Sequence, residues 1–133
     1  MDNNADQKYP QRWQTRFAFF DQYGAPKSKE YKAAIKKEKF SGRFLIGFNL
    51  IAFFFSFIYF FILGLWRKNI SLFAIAIVIG FIAGIIELIT GHKISTIGLN
   101  VICSLMWGST ANYAYYLKEV KDSKSWNPFE GIL

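Results

Sequence analysis

Three runs of this sequence are nearly free of charge, and each is as long as a bilayer is thick. No Asp, Glu, Lys or Arg occurs from Leu45 to Trp66 or from Ile94 to Tyr116, and only Glu87 interrupts Ile70 to Ile89. A spanning helix needs about 20 apolar residues at a rise of about 1.5 Å each. The three runs hold 22, 23 and 20 residues. The pattern predicts an all-α membrane protein: three hydrophobic helical segments preceded by a basic, partly helical cytoplasmic N-terminal region. It excludes a disordered chain, because 53% of the residues are apolar. With 133 residues there is room for one domain. The expected parts are a basic region at 1–44, a membrane domain at 45–117 (45–66, 70–89 and 94–116) and a short polar tail at 118–133.

Charge is unevenly spread. Ten Lys and Arg precede Leu45 against five acids, whereas from Lys118 onward three Lys meet three acids. A basic front end beside a membrane marks a cytoplasmic N-terminus held near anionic headgroups. Lys32, Lys36, Lys37, Lys39, Arg43, Arg67 and Lys68 are the candidate headgroup contacts. No motif of a nucleic-acid fold accompanies these lysines, so nucleic acid is not an expected partner. The single cysteine, Cys103, forms no intramolecular disulfide and reads as a space-filling thiol. No cleavable signal peptide precedes the first apolar run, so the membrane segments act as their own targeting signal.

Residues 1–11 are polar, with disorder expected up to Pro10. Trp13, Phe17 and Phe20 share one helical face, which suits either the headgroups or the body of the protein. Asp21 to Pro26 carries turn chemistry, and Ser28 is placed to cap a helix running to about Gly42. The first apolar run holds nine aromatics and ends in Trp66-Arg67-Lys68, an interfacial anchor. Tyr113, Tyr115 and Tyr116 read as an aromatic belt at the end of the third run. Trp126 and Phe129 in the tail suit either the interface or a partner.

On the second run, Ala76, Gly80 and Gly84 recur every four residues, so Gly80 to Gly84 is a GxxxG. On the third run, Asn100, Ser104, Gly108 and Asn112 repeat the spacing. Small residues let helix backbones approach where lipid offers no hydrophobic drive for association. The two stripes are expected to face each other within the chain, with a homodimer face as the competing reading. Glu87 is the one acid in the apolar runs, hence a candidate proton or cation site; its structural alternative is a role at the segment's end with Lys93, Ser95 or Thr96. Asn100 and Asn112 read as interhelical hydrogen-bonding groups.

Catalysis finds little support. His92 and Cys103 cannot build an ordinary zinc site, and no phosphate loop, nucleophile elbow or paired carboxylates occur. No cofactor is indicated.

Several strings carry a resemblance: Trp13 to Asp21, Gly24-Ala-Pro26, Tyr31 to Ala34, Phe48-Asn49 with Ala52 to Phe55, Leu65 to Lys68, Ala111 to Lys118, and Trp126 to Gly131. Together they resemble the YigF/YigG type of small bacterial inner-membrane proteins, within a larger domain-of-unknown-function family. The resemblance implies a Gram-negative inner membrane and several passes, and brings no established activity. Members of that type often follow the Ala-Phe-Phe-Phe run with Gly-Pro, which would break the first segment into a re-entrant loop. Here Ser56-Phe57 stands instead, which implies an uninterrupted helix.

Two topologies compete. Three spans place eleven Lys and Arg inside against five outside, whereas a re-entrant first segment leaves only Lys93 outside. Charge counting favours the re-entrant form, and insertion energy favours three spans with the C-terminus outside. The latter is the expectation taken forward. The functional expectation is a non-catalytic accessory or interaction protein, associating with itself or another membrane protein. The alternative is an oligomeric ion or small-solute conduit along Glu87, Asn100, Ser104 and Asn112.

Overall fold

A computed structural model describes residues 8–133. Its order is α1 (Gln11–Tyr23), α2 (Lys29–Lys37), α3 (Phe40–Gly47), α4 (Leu50–Ile62), α5 (Trp66–Thr90) and α6 (Thr96–Lys121). Among the described residues all regular structure is helical. The stretch 1–7, where disorder was expected, lies outside them. Tyr9 is ordered by packing: its ring meets Phe17 at 5.0 Å and its hydroxyl donates to Glu119 at 2.8 Å.

Local signals explain the helix ends. Ser28 Oγ accepts the Tyr31 N–H at 3.1 Å and starts α2, as N-cap chemistry requires. That helix stops at Lys37 rather than near Gly42, because Glu38 turns extended, at ψ 149°. Arg43 holds the corner by donating to the Lys36 and Glu38 carbonyls. Gly91 closes α5 in the left-handed region at φ 70°, where a side chain would be strained. Ser95 then caps α6 through the Gly98 N–H at 3.2 Å. The Gly91–Ser95 link is so short that α5 and α6 must run antiparallel.

Two stretches, Phe40–Ile62 and Trp66–Thr90, are long and apolar enough to cross a membrane. Thr96–Lys121 has the length, but Asn100, Ser104, Thr110 and Asn112 lower its hydropathy. Its C-terminal half is covered by protein instead, with Trp107, Thr110, Ala111, Tyr113, Tyr116 and Leu117 all buried.

The uninterrupted helix expected over the first apolar run does not form. Phe48 and Asn49 are extended between α3 and α4, and Ser56 sits inside α4 at φ 40°, ψ −114°. Both ends of α4 lie against the C-terminal half of α6. The Asn49 N–H donates to Gly108 O at 2.8 Å, and Leu63 O accepts from Lys118 Nζ at 2.8 Å. Its middle, Ser56 and Phe57, borders a space shared with Cys103, Ser104 and Trp107. The chain therefore goes in past Gly108, turns at Ser56 and comes back to Lys118, so the first apolar run is not a straight helix.

The core joins α1 to the end of α6. Phe20 meets Tyr113 at 5.0 Å and Tyr116 at 5.2 Å, Phe17 meets Tyr116 at 5.7 Å, and Trp13 meets Tyr115 at 4.5 Å. Such pairs contribute about 0.5–1.5 kcal/mol each beyond buried area. The expected tyrosine belt is thus a protein core, and the α1 aromatic face packs on the body of the protein. The tail folds back as well. Gly131 O accepts the Lys27 N–H at 2.9 Å, and Trp126 packs edge-on against Trp66 at 5.2 Å.

Candidate functional site

A broken helix in an apolar run leaves backbone carbonyls without partners, and each costs about 1–3 kcal/mol if it is buried unpaired. Four side chains form a clasp around the break. Asn112 Nδ2 donates to the carbonyls of Ile46 and Phe48 at 3.0 Å and of Leu45 at 3.2 Å, the last carbonyls of α3. Its Oδ1 accepts from Asn49 Nδ2 at 3.0 Å, and Asn49 Oδ1 caps α4 through the Ala52 N–H at 2.9 Å. Just past Ser56, Asn69 Nδ2 donates to Phe57 O while Asn69 Oδ1 accepts from Trp107 Nε1, both at 2.9 Å. Lys118 completes the set at Leu63 O. Asn49, Asn69 and Asn112 are each at most 2% exposed. The arrangement fixes the break in the first apolar run, with its backbone satisfied by neighbours.

Asn112 is thus a hydrogen-bonding residue, as expected, although its partners are mostly backbone groups of the break. Asn49, Asn69 and Lys118 were not singled out from the sequence as site residues, and Ser56, expected to continue the helix, is where it breaks. A polar Asn at position 49 inside a charge-free run, just before an apolar stretch, was the available signal.

The α5 and α6 stripes meet only in part. Ala76, Gly80, Asn100 and Ser104 border a cleft of about 450 Å³ that opens at the tip of α4. A Cβ added at Gly80 or Gly84 would find nothing within 4 Å. At Gly80 and Gly84 the close pairing of the stripes within the chain does not occur. Gly108 serves a different contact: a Cβ there would lie 2.6 Å from the Phe48 ring and 3.2 Å from Phe53 Cβ.

Glu87 takes the structural role. Its Oε1 accepts the Ile94 N–H at 2.7 Å and closes the α5–α6 turn. About 24 Å of helix separates Thr96 from Asn112, so Glu87 and Asn112 share no site. Among the described residues no cluster of His, Cys, Asp or Glu gathers that would hold a metal ion.

The candidate headgroup residues divide. Lys32, Lys36, Lys37, Lys39 and Arg43 are exposed on α2, its following turn and α3. Arg67 is half-buried, stacks over Trp66 at 5.1 Å and donates to Lys124 O at 3.1 Å. Lys68 is not available to a headgroup. It is 3% exposed and pairs with Glu130 at 3.3 Å, which pins the tail to α5.

The comparisons with known proteins agree with this picture of an unassigned site. The chain is 40% identical over 126 residues to "Uncharacterized protein YigF" of Salmonella typhimurium, covering 92% of this chain and 94% of that protein. It is 37% identical over the same length to "Uncharacterized protein YigF" of Escherichia coli (strain K12). No solved structure matches. The family model described as "Protein of unknown function (DUF2628)" matches residues 3–121, and the chain belongs to that family.

Proposed function

We propose that this chain is a non-catalytic interaction protein of the bacterial inner membrane. In this reading α5 and α6 cross the bilayer, Leu45 to Trp66 is re-entrant, and both termini are cytoplasmic. The large exposed apolar side chains of α5 and α6, among them Ile77, Phe81, Leu88, Ile89 and Ile97, suit a lipid environment and would aggregate in water. Fifteen of the sixteen Lys and Arg then lie on the terminal side, with Lys93 alone on the other, as the positive-inside rule favours. With 25 residues, α5 is about 37 Å long, enough to cross the hydrocarbon core with some tilt.

One observation carries the interaction role: Gly80 and Gly84 have open space where a Cβ would be, beside a cleft edged by Asn100 and Ser104. A small-residue face left open in lipid is the surface on which a second helix packs closely. The occupant is a helix of a second copy or of another membrane protein. Co-purification of two differently tagged copies in mild detergent tests it, together with recovery of partners after in-membrane cross-linking. Gly80→Leu and Gly84→Leu are expected to abolish the association without lowering thermal stability. Association that survives both substitutions, or a monomer with no cross-linked partner, would overturn the reading. Reporters active on one side of the membrane, fused after Leu133, test the topology, and a cytoplasmic end is expected.

A further inference from the structure

Arg16 is a buried cation on α1. It is 6% exposed, and among the described residues no carboxylate acts on it. Its Nε donates to Leu45 O at 2.7 Å, and its guanidinium lies 4.6 Å over the Trp13 ring. An arginine carries five N–H donors, and Arg16 lines the space beside α1. Burial, opposed by Tyr59 and reinforced by the neighbouring Arg12, lowers its pKa to about 10, which leaves it cationic at neutral pH. A buried cation without an anion is destabilising, and a bound anion offsets that cost.

The space beside Arg16 is a cavity of about 780 Å³ between α1 and the start of the re-entrant segment. Its lining is mixed in chemistry. Arg12, Arg16 and Tyr59 supply polar groups, whereas Phe44, Leu50 and Ile51 are apolar and are 42%, 49% and 41% exposed. A free phosphate would use only the polar groups. A phospholipid would use both, with its phosphate on the guanidinium groups and its acyl chains against the apolar side chains.

We propose that this cavity is a binding site for one anionic phospholipid, held by Arg16 and Arg12 at the phosphate and by Phe44, Leu50 and Ile51 along the chains. The inference rests on the membrane reading above but not on self-association or on the side of the C-terminus. Arg12 and Arg16 fall outside the run of exposed lysines on α2, so the site is distinct from diffuse attraction of that helix to headgroups.

Native mass spectrometry of the detergent-purified protein, with phosphatidylglycerol or phosphatidylcholine added, tests the site. Wild type is expected to retain one phosphatidylglycerol per chain in preference to phosphatidylcholine, with a rise in melting temperature on adding the anionic lipid. Arg12→Gln, an exposed position that leaves the fold intact, is expected to weaken retention severalfold. Arg16→Gln should weaken it by about tenfold, the loss of one charge-assisted contact. Lys32→Gln with Lys36→Gln should leave it unchanged. Equal retention of both lipids, or retention unaffected in Arg12→Gln, would overturn the proposal. So would a melting shift produced equally by millimolar inorganic phosphate, which marks a free-anion site. A Gly80→Leu protein that no longer associates yet keeps its phosphatidylglycerol would separate this site from the interaction role.

Discussion

Asn49 and Asn112 hold one another by their side-chain amides at 3.0 Å, and between them they satisfy the backbone on both sides of a helix break. Asn112 takes the ends of α3, while Asn49 begins α4. The pair stands where an unbroken helix would need no side chain.

Loss of Asn112 is therefore expected to be severe. Asn112→Ala leaves the carbonyls of Ile46 and Phe48 without their side-chain donor, and Leu45 O with Arg16 alone, at a cost of about 1–3 kcal/mol or more. Asn100→Ala, on an exposed part of α6, should change stability by under about 0.5 kcal/mol. Thermal unfolding of both variants in one detergent checks the contrast.

Ser56 adopts φ 40°, a conformation that L side chains rarely hold. Ser56→Gly should stabilise the protein by about 1 kcal/mol, because glycine takes this backbone without strain. Ser56→Val should destabilise it by more than that, since a β-branched residue fits worst. Melting temperatures that rank glycine, serine and valine in any other order would contradict the turn.

The glycines of the two stripes should behave in opposite ways. Gly108→Ala drives a methyl against the Phe48 ring and is expected to cost about 1–3 kcal/mol by overpacking. Gly84→Ala meets nothing and should leave the melting temperature of the single chain unchanged or slightly raised. The comparison is made at a detergent dilution that keeps the chain monomeric.

Glu130 holds the tail by its contacts with Lys68 and Ser123. Glu130→Ala leaves Lys68 as a buried charge without a counter-ion, which is strongly destabilising. The tail should then detach and be cut faster by trypsin at Lys121 and Lys124. Lys68→Met combined with Glu130→Gln should restore protection, because the buried charge is gone.

Tyr31 gives a pH signature. Burial pushes its phenol up to about 12, whereas in the unfolded chain it titrates near 10. Between those values the unfolded state has lost its proton and the folded state keeps it, so stability falls as pH rises. Below pH 10 the contribution is fully present. Tyr31→Phe should show a shallower loss of stability from pH 10 to 12, measured by denaturant unfolding at fixed salt.

What the sequence revealed were features whose causes are local. Ser28 at the start of α2 and the membrane length of α5 follow from neighbours a few residues away. Glu87 was expected at the segment's end with Lys93, Ser95 or Thr96, and its partner there is the Ile94 N–H, seven residues on. The misread features have distant causes. Lys68 looked like a headgroup anchor because Glu130, its counter-ion, is 62 residues away. Ser56 carries no breaker signature of its own; the break is held by Asn69, Lys118 and Asn112 on other helices. The α5 and α6 stripes were recognised as stripes, but α4, whose Ser56 and Phe57 border the cleft between them, was expected to be a straight span.

The distance along the chain between Asn49 and Asn112 also sets an order of events during synthesis. Sixty-three residues separate the two amides, and about two-thirds of α6 must be made before Asn112 exists. Until then the carbonyls of Ile46 and Phe48 lack the donor that satisfies them in the finished fold. The break between α3 and α4 is thus completed late: a ribosome stalled before Asn112 would leave its two ends without their clasp.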